Sequence, residues 1–338
     1  MREATRSCRK SALSDRQRSS VACETGGVTL TPTNDPTEAL TEAPIDTTAV
    51  TSPATHSTTE PAAPARKASK RTVLMCRPDY FTVTYRINPW MFPENPTNTA
   101  LAVEQWERLY AIYLELGFDV HLIEPLEGLP DMVYSANGGF TLDGIAYGAK
   151  FTYDERAAEG PAYLAWLAEQ GFTPHEAAEV NEGEGDMLLV GDVILAGTGF
   201  RTSTASHREL AEAVGREVIT LTLVDPAFYH LDTAIAVLDP DPAPGEHANI
   251  AYLPKAFDEA SQAILRERYP DAIIATEEDA AVLGLNSFSD GLHVVIASRA
   301  GDFERQLRER GYEPIGVDLS ELLLGGGGVK CCTLELRR

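Results

Sequence analysis

The sequence has no long apolar run, no cysteine framework, no clustered histidines and no surplus of basic residues, and each absence closes off a class of protein. A membrane helix needs about 20 consecutive apolar residues, and none is present, so no membrane partner is expected. The five cysteines, Cys8, Cys23, Cys76, Cys331 and Cys332, are odd in number and two of them are adjacent. That is no disulfide framework, and a reducing cytoplasm fits it best. Beyond residue 70 the histidines His121, His175, His207, His230, His247 and His293 stand apart, with no His-x-x-x-His or Cys-x-x-Cys spacing, so no metal is expected. The 28 Lys and Arg against 51 Asp and Glu give a formal net charge of −23. A nucleic-acid partner would want a basic face, and none is expected. The acidity serves solubility and also permits attraction of a cationic small molecule. No Gly-x-Gly-x-x-Gly lies between a strand and a helix. The nearest cluster, Gly197-Thr198-Gly199-Phe200-Arg201, lacks the third glycine, so no dinucleotide or other cofactor is expected.

Residues 1 to 70 offer almost nothing to bury. Thr, Pro, Ala and Ser dominate, and the segment reads as a disordered tail. Its basic start has no apolar stretch after it, so a secretory signal is not indicated; a transit peptide or an early start codon are the alternatives. Order is predicted to begin near Arg71 with the strand Thr72 to Cys76, giving one domain from 71 to 338. Ala102, Trp106, Leu109, Ile112, Tyr113 and Leu116 recur at helical spacing over Thr99 to Leu116, and Gly117 closes that helix. A strand from Asp119 to Ile123 follows, then two short strands, Met132 to Ser135 and Gly144 to Tyr147. The same order recurs around helices at Glu159 to Gln170, Ser203 to Val214, Asp258 to Arg268 and Asp302 to Arg310. The predicted strand pairs are 187–190 with 193–196, 233–238 with 250–253, and 281–285 with 293–296. Five similar helices, most followed by a strand and a hairpin-like pair, form an internal repeat of mixed α/β modules. Such a repeat closes most naturally into a ring, and a doubly wound open sheet is the competing architecture.

Three segments and the C-terminus carry the residues suited to chemistry. In Asn181-Glu182-Gly183-Glu184-Gly185-Asp186, glycines between acids leave each carboxylate free to be aimed, although a polar turn would look the same. In Tyr229-His230-Leu231-Asp232-Thr233 an extended backbone puts imidazole and carboxylate on one face. Asp131-Met132-Val133-Tyr134-Ser135-Ala136-Asn137-Gly138-Gly139 ends in an amide and two glycines, which is also ordinary turn chemistry. Near the C-terminus, Gly325 to Gly328 lead through Val329 and Lys330 to Cys331 and Cys332. These thiols read either as the start of a last core strand or as a nucleophile whose ionisation Lys330 favours. Cysteine, histidine and surplus acids together suit attack on an electrophilic carbon in a cationic substrate, since carboxylates hold a planar guanidinium by paired charge-assisted hydrogen bonds.

Four segments of the chain resemble the guanidino-group-modifying superfamily of arginine deiminases, dimethylarginine dimethylaminohydrolases and amidinotransferases. They are Met75-Cys76-Arg77-Pro78 with Ile87-Asn88-Pro89-Trp90-Met91, the acid loop from Glu182 to Asp186, His230-Leu231-Asp232-Thr233, and Gly326-Gly327-Gly328-Val329-Lys330-Cys331. The resemblance covers residues 71 to 338. It implies an α/β fold, a five-bladed propeller of repeated modules with a central active site (the pentein fold). It implies Cys331 as nucleophile, His230 as general acid and base, and Glu182 as catalytic carboxylate, with Glu184 the less favoured choice. Asp232 would bind the guanidinium. Asn137 stands where deiminases and dimethylargininases usually place an aspartate. With Asn88 and Arg156, the latter expected on the substrate α-carboxylate, it is similar to the bacterial arginine dihydrolases, which release ornithine, carbon dioxide and ammonia. The resemblance therefore implies a hydrolase of a small guanidino substrate working without a cofactor, with a homo-oligomer left open. A dimethylargininase, an amidinotransferase and a non-enzymatic propeller are the rivals.

Overall fold

Among the described residues, five three-stranded sheets, each with a helix between its middle and outer strands, build the fold, and the first and last strands meet in one of them. The computed structural model describes residues 66–242 and 248–338; the expected tail up to residue 65, with Cys8 and Cys23, and His247 lie outside the described residues. The element order is β1 (Thr72–Cys76), α1 (Thr99–Glu115), β2 (Asp119–Ile123), β3 (Gly139–Leu142), β4 (Ile145–Gly148), α2 (Glu159–Glu169), β5 (Thr173–His175), β6 (Met187–Val190), β7 (Val193–Thr198), α3 (Thr204–Val214) and β8 (Glu217–Thr222). It continues with β9 (Ile235–Val237), β10 (Ile250–Tyr252), α4 (Glu259–Arg268), β11 (Ile273–Ile274), α5 (Glu277–Ala280), β12 (Phe288–Ser289), β13 (His293–Ala297), α6 (Gly301–Glu309), β14 (Glu313–Val317) and β15 (Leu334–Glu335). The sheets are ordered β15-β1-β2, β3-β4-β5, β6-β7-β8, β9-β10-β11 and β12-β13-β14.

Each blade repeats one pairing scheme. An inner strand runs antiparallel to the middle strand, and the middle strand runs parallel to the outer one, as in β6-β7-β8 with Leu188 opposite Leu195 and Ile194 opposite Val218. Parallel neighbours need a crossover connection, and the long helix of each unit supplies it. The first blade is permuted, because its inner strand is β15. Val73 lies opposite Glu335 and Leu74 opposite Leu334, so the last strand, β15, closes the sheet that β1 opens. This is the five-bladed α/β propeller that the repeat and the resemblance implied.

Local signals place the helices. Asn98 caps α1 through Leu101 N at 3.2 Å, and Ser203 and Asp258 cap α3 and α4 in the same way. Trp106, Leu109, Ile112 and Tyr113 form the buried face of α1. The Tyr113 hydroxyl lies 2.8 Å from Thr333 Oγ1, which ties the first helix to the segment just before β15.

The structure departs from the sequence reading in four places. Residues 66 to 70, assigned to the tail, are docked: Arg66 pairs with Asp239 at 2.6 Å, and Ser69 N donates to Asp290 O. The expected strand from Met132 to Ser135 is two short 3-10 turns, Pro130–Val133 and Ser135–Gly138, with β3 starting only at Gly139. The expected strand at 281–285 is a turn following the single-turn helix α5, and the inner strand is β12. Cys331 and Cys332 precede β15 and do not belong to it. In each of these last three cases the backbone bends just before an inner strand.

Leu334 is fully buried in β15, whereas Ile274 in β11 is 47% exposed. Leu334→Ala is expected to lower the unfolding free energy by about 2–5 kcal/mol, and Ile274→Ala by under about 0.5 kcal/mol, as measured by urea unfolding.

Candidate active site

The bends just before the five inner strands carry the polar side chains. Asn137 comes two residues before β3, Glu182 and Glu184 shortly before β6, His230 and Asp232 before β9, Asn286 two residues before β12, and Cys331 before β15. His230 has an extended backbone, but Leu231–Thr233 is a 3-10 turn, so imidazole and carboxylate do not share a strand face as expected. The turn delivers both to the site nevertheless.

Cys331 lies buried against Asp232 and Asn286. Its Sγ is 3.2 Å from Asp232 Oδ2 and 3.1 Å from Asn286 Nδ2. The Asn286 amide also accepts from Cys331 N at 3.0 Å and donates to Asp232 O at 3.1 Å. Asp232 Oδ1 is buried and has no hydrogen-bond partner among the described residues. Burial, offset in part by Lys330, the thiol and Asn286, pushes the Asp232 carboxyl up to about 7. Burial and then the Asp232 charge push the Cys331 thiol well above its ordinary value. Lys330 does not activate the thiol as expected. Its Nζ is committed to Glu184 Oε2 at 2.7 Å and Thr333 O at 2.8 Å.

His230 Nε2 lies 2.8 Å from Glu182 Oε2. Arg201 reaches both oxygens of the same carboxylate, at 3.1 and 2.8 Å, while its other terminal nitrogen donates to Ile87 O. Burial alone would raise the Glu182 carboxyl, but Arg201 and His230 hold it well below the carboxylate range. The guanidinium of Arg201 stands 4.6 Å from the centre of the Tyr153 ring and 4.7 Å from that of Tyr229. Glu184 accepts from Lys330 and Arg337, and it is Glu182 that partners His230. The geometry thus separates the two acids left open by the sequence, placing Glu182 on the imidazole. Behind Lys330 lies a cavity of about 330 Å³, lined among others by Arg71, Ser287, Glu335 and Arg337. Its lining does not include Cys331, His230 or Glu182.

Asn137, Asn88 and Arg156, all expected to bind substrate, complete the set, and Asn88 and Arg156 are taken up by contacts within the protein. Arg156 donates to Glu159 at 3.0 and 2.7 Å, to Asp131 O and to Asn137 Oδ1 at 2.8 Å. It is buried and spent on the protein, so it does not stand ready for a substrate carboxylate. With its Oδ1 held by Arg156, Asn137 turns Nδ2 toward Glu182 O at 3.3 Å. A Cβ on Gly185 would lie 2.2 Å from that nitrogen and 3.3 Å from His230 Cγ, which places Asn137 beside the imidazole. Ala136 N donates to Cys331 O. Asn88 gives both amide hydrogens away, to Gly325 O and to the Tyr229 hydroxyl, and accepts from Trp90 N. It braces the glycine leader.

The leader is packed too tightly for side chains. A Cβ on Gly325 or Gly327 would come 2.3 Å from Tyr134, and one on Gly328 would come 2.9 Å from Asn286 Oδ1. Gly326 has φ +89° and lies against Tyr229 and Asn88. Sequence reasoning missed Arg201, Asn286 and Glu159. Arg201 sat inside a glycine cluster read only for nucleotide binding, and Asn286 precedes an inner strand placed a few residues too early.

Among the described residues no group of three or more His, Cys, Asp or Glu could hold a metal ion, and no helix is long and apolar enough to cross a membrane. The arrangement joins a thiol, an imidazole–carboxylate pair and an unpartnered carboxylate oxygen, the parts needed for covalent chemistry on a cationic carbon centre.

No family model matches the chain. It is 52% identical over 274 residues to N(G),N(G)-dimethylarginine dimethylaminohydrolase of Mycobacterium tuberculosis, covering 81% of this chain and 88% of that protein. It is 35% identical over 271 residues to the bifunctional arginine dihydrolase/ornithine cyclodeaminase ArgZ of Synechocystis, covering 78% of this chain but only 37% of that longer protein. The solved N-terminal domain of ArgZ, a cysteine-to-serine variant bound to substrate, matches with TM-score 0.73 at 34% identity over 80% of this chain and 99% of that one. A dimethylarginine dimethylaminohydrolase adduct, at TM-score 0.62 and 20% identity over 79% of this chain and all of that one, shares the fold. With its propeller, its buried thiol and these relatives together, the chain belongs to the guanidino-group-modifying superfamily and is an enzyme that hydrolyses guanidino groups.

Proposed function

We propose that the substrate is free L-arginine and that the products are ornithine, carbon dioxide and ammonia. The observation that carries the guanidinium half of this proposal is Asp232 Oδ1, buried beside the thiol with no partner. An unpaired buried carboxylate oxygen is costly, and a guanidinium N–H would satisfy it. With the guanidinium held there, the Cys331 thiolate attacks Cζ to give a tetrahedral adduct. His230 protonates the departing nitrogen, ammonia leaves, and an amidino-thioether links sulfur to Cζ. His230, fixed by Glu182, then takes a proton from water, the hydroxide adds to the same carbon, and the thiolate leaves from citrulline.

Asn137 supports continuing beyond citrulline. Its oxygen is occupied by Arg156, so the amide shows the site an N–H donor, and a neutral ureido oxygen accepts from such a donor. A second attack by sulfur would expel another ammonia and leave an S-carbamoyl adduct. Water would release ornithine carbamate, which decomposes to ornithine and carbon dioxide. Two waters are consumed per arginine, so the atoms balance. In ArgZ, an asparagine-to-serine variant is covalently bound to a reaction intermediate, in line with an amide acting late in such a sequence.

The 52% identity to the mycobacterial dimethylarginine dimethylaminohydrolase favours a second reading, in which dimethylarginine gives citrulline and dimethylamine. Mass spectrometry of products separates the two. The first reading expects arginine to yield ornithine, with slower or no turnover of dimethylarginine, and Asn137→Ser to accumulate citrulline. Dimethylarginine turned over faster than arginine, with citrulline as the end product, would replace it by the second.

Cys331→Ser is expected to lower kcat for arginine by at least about 10³-fold, whereas Cys332→Ser should change it by less than about tenfold. Wild-type turnover in the Cys331 variant would remove Cys331 from the nucleophile's role.

The Asp232 carboxyl, raised to about 7, binds the guanidinium only when ionised. The guanidinium itself stays charged throughout. Hence kcat/KM for arginine should climb with pH through a midpoint near 7 and level off above it. A profile flat from pH 5.5 to 8 would contradict this. Raised in the folded state, the same carboxyl binds its proton more tightly there than in the unfolded chain. Its linkage therefore costs stability as pH rises from about 4 to 7, and the full cost is present above 7. Asp232→Asn should stabilise the substrate-free enzyme at pH 8 by on the order of 1 kcal/mol while abolishing turnover, as thermal unfolding and steady-state assays would report.

A further inference from the structure

Four of the five bends at the inner-strand starts carry residues already given a task in the proposed reaction; the fifth, before β12, carries Asn286. We propose that Asn286 is a further catalytic residue, an uncharged hydrogen-bond donor that stabilises the Cys331 thiolate as it forms and locks it against Asp232. The proposal rests on the reading of Cys331 as nucleophile.

The geometry fixes which way the amide points. Cys331 N–H is a donor, so the atom 3.0 Å from it must be the carboxamide oxygen. The nitrogen therefore faces Sγ at 3.1 Å and Asp232 O at 3.1 Å, and both of its hydrogens are used. One side chain thus holds the nucleophile's main chain, its sulfur and the main chain of the guanidinium-binding acid. Asn286 is fully buried, so no water competes for these bonds. A donor aimed at a buried anion in such a setting acts far more strongly than it would in water.

The thiol needs such a donor because its other neighbours oppose ionisation. Burial and Asp232 both disfavour the thiolate, and the adjacent cation, Lys330, is spent on Glu184. The Gly328 backbone amide is the other group that favours it. Gly328 is itself confined by Asn286, whose oxygen a Cβ there would meet at 2.9 Å. The amide and the end of the glycine run therefore form one cradle for the sulfur.

The test compares full-length wild type, Asn286→Ala, Asn286→Asp and Cys331→Ala. Labelling of Cys331 by chloroacetamidine, a thiol-reactive amidine, is followed by intact mass from pH 5.5 to 10, alongside kcat and KM for arginine. Asn286→Ala should slow labelling at pH 7.5 at least tenfold and move its pH midpoint up by at least one unit, with KM changed less than threefold. Asn286→Asp keeps the acceptor for Cys331 N–H but offers an acceptor to the sulfur, and should move the midpoint at least as far. If the alanine variant fails to fold, the near-isosteric aspartate variant decides alone. Unmoved midpoints would overturn the proposal and leave Asn286 a structural brace. Turnover of arginine by Cys331→Ala would instead refute the nucleophile assignment.

Discussion

A carboxylate buried against a thiol, with one oxygen left unpaired, is the constraint around which the rest of this molecule is arranged. Around the thiol and imidazole stand six carboxylates, Asp131, Glu159, Glu182, Glu184, Asp186 and Asp232, all buried. They face four cations, Arg156, Arg201, Lys330 and Arg337. Buried charge is tolerable when it is paired, and breaking such a pair by removing one partner costs about 3–5 kcal/mol. Three of the acids find full partners in Arg156, Arg201 and the Lys330–Arg337 couple. Burial nevertheless pushes Glu159 up to about 7 despite Arg156, and it raises Asp131, Asp186 to about 6 and Asp232 to about 7. The deficit is positive charge, and a guanidinium cation supplies it.

That arrangement depends on the ring. Each blade turns its chain toward the axis just before its inner strand, and short 3-10 segments at 135–138, 183–185 and 231–233 make the turns. A continuous strand could not do this, because alternate side chains would be sent to opposite faces. The tight turns also explain the glycines. Gly183, at φ +53°, lies within 2.9 Å of the backbone around Ala136 and Gly139 for any Cβ it might carry, so two neighbouring blades meet there main chain to main chain. The run from Gly325 to Gly328 does the same for the blade that holds the thiol, with Tyr134, Tyr229, Asn88 and Asn286 filling the space side chains would take.

Much of this was legible in the sequence, because the repeat is written in the hydrophobic spacing of five helices and in the glycines beside polar residues. The residues alone marked the acid loop, His230 with Asp232 and the terminal thiols as candidates, and the resemblance then implied Cys331 over Cys332 and Glu182 over Glu184. The inner-strand starts were less legible. At two to four residues, β3, β12 and β15 are too short to show a period of two, so turn and strand could not be told apart near 131–138, 281–289 and 331–335. Arg156 and Asn88 were recognisable as belonging to the site, but not in their tasks. A guanidinium that could reach a substrate carboxylate is indistinguishable in sequence from one that Glu159, three residues on, takes for itself. Asn286 had no local signal at all; only its equivalence to Asn137 across the ring reveals it.

The coupling of thiol and carboxylate also bears on selectivity. In the empty site the thiol is neutral and donates to Asp232, since burial and that acid both disfavour a second negative charge. A cation set down about 4 Å from the sulfur gains roughly 4 kcal/mol at an effective dielectric of about 20. That corresponds to about three pKa units in the direction that favours the thiolate, opposing the rise that burial and Asp232 impose. In the proposed reaction, therefore, the guanidinium favours the nucleophile that attacks it, and the second attack, on the neutral ureido group, starts from the thiolate that the first round has just released. Charge selection at Asp232 and activation at Cys331 become one event, which is why the site can leave a carboxylate oxygen unpaired in the substrate-free enzyme: the stability lost there is recovered only when a planar cation binds.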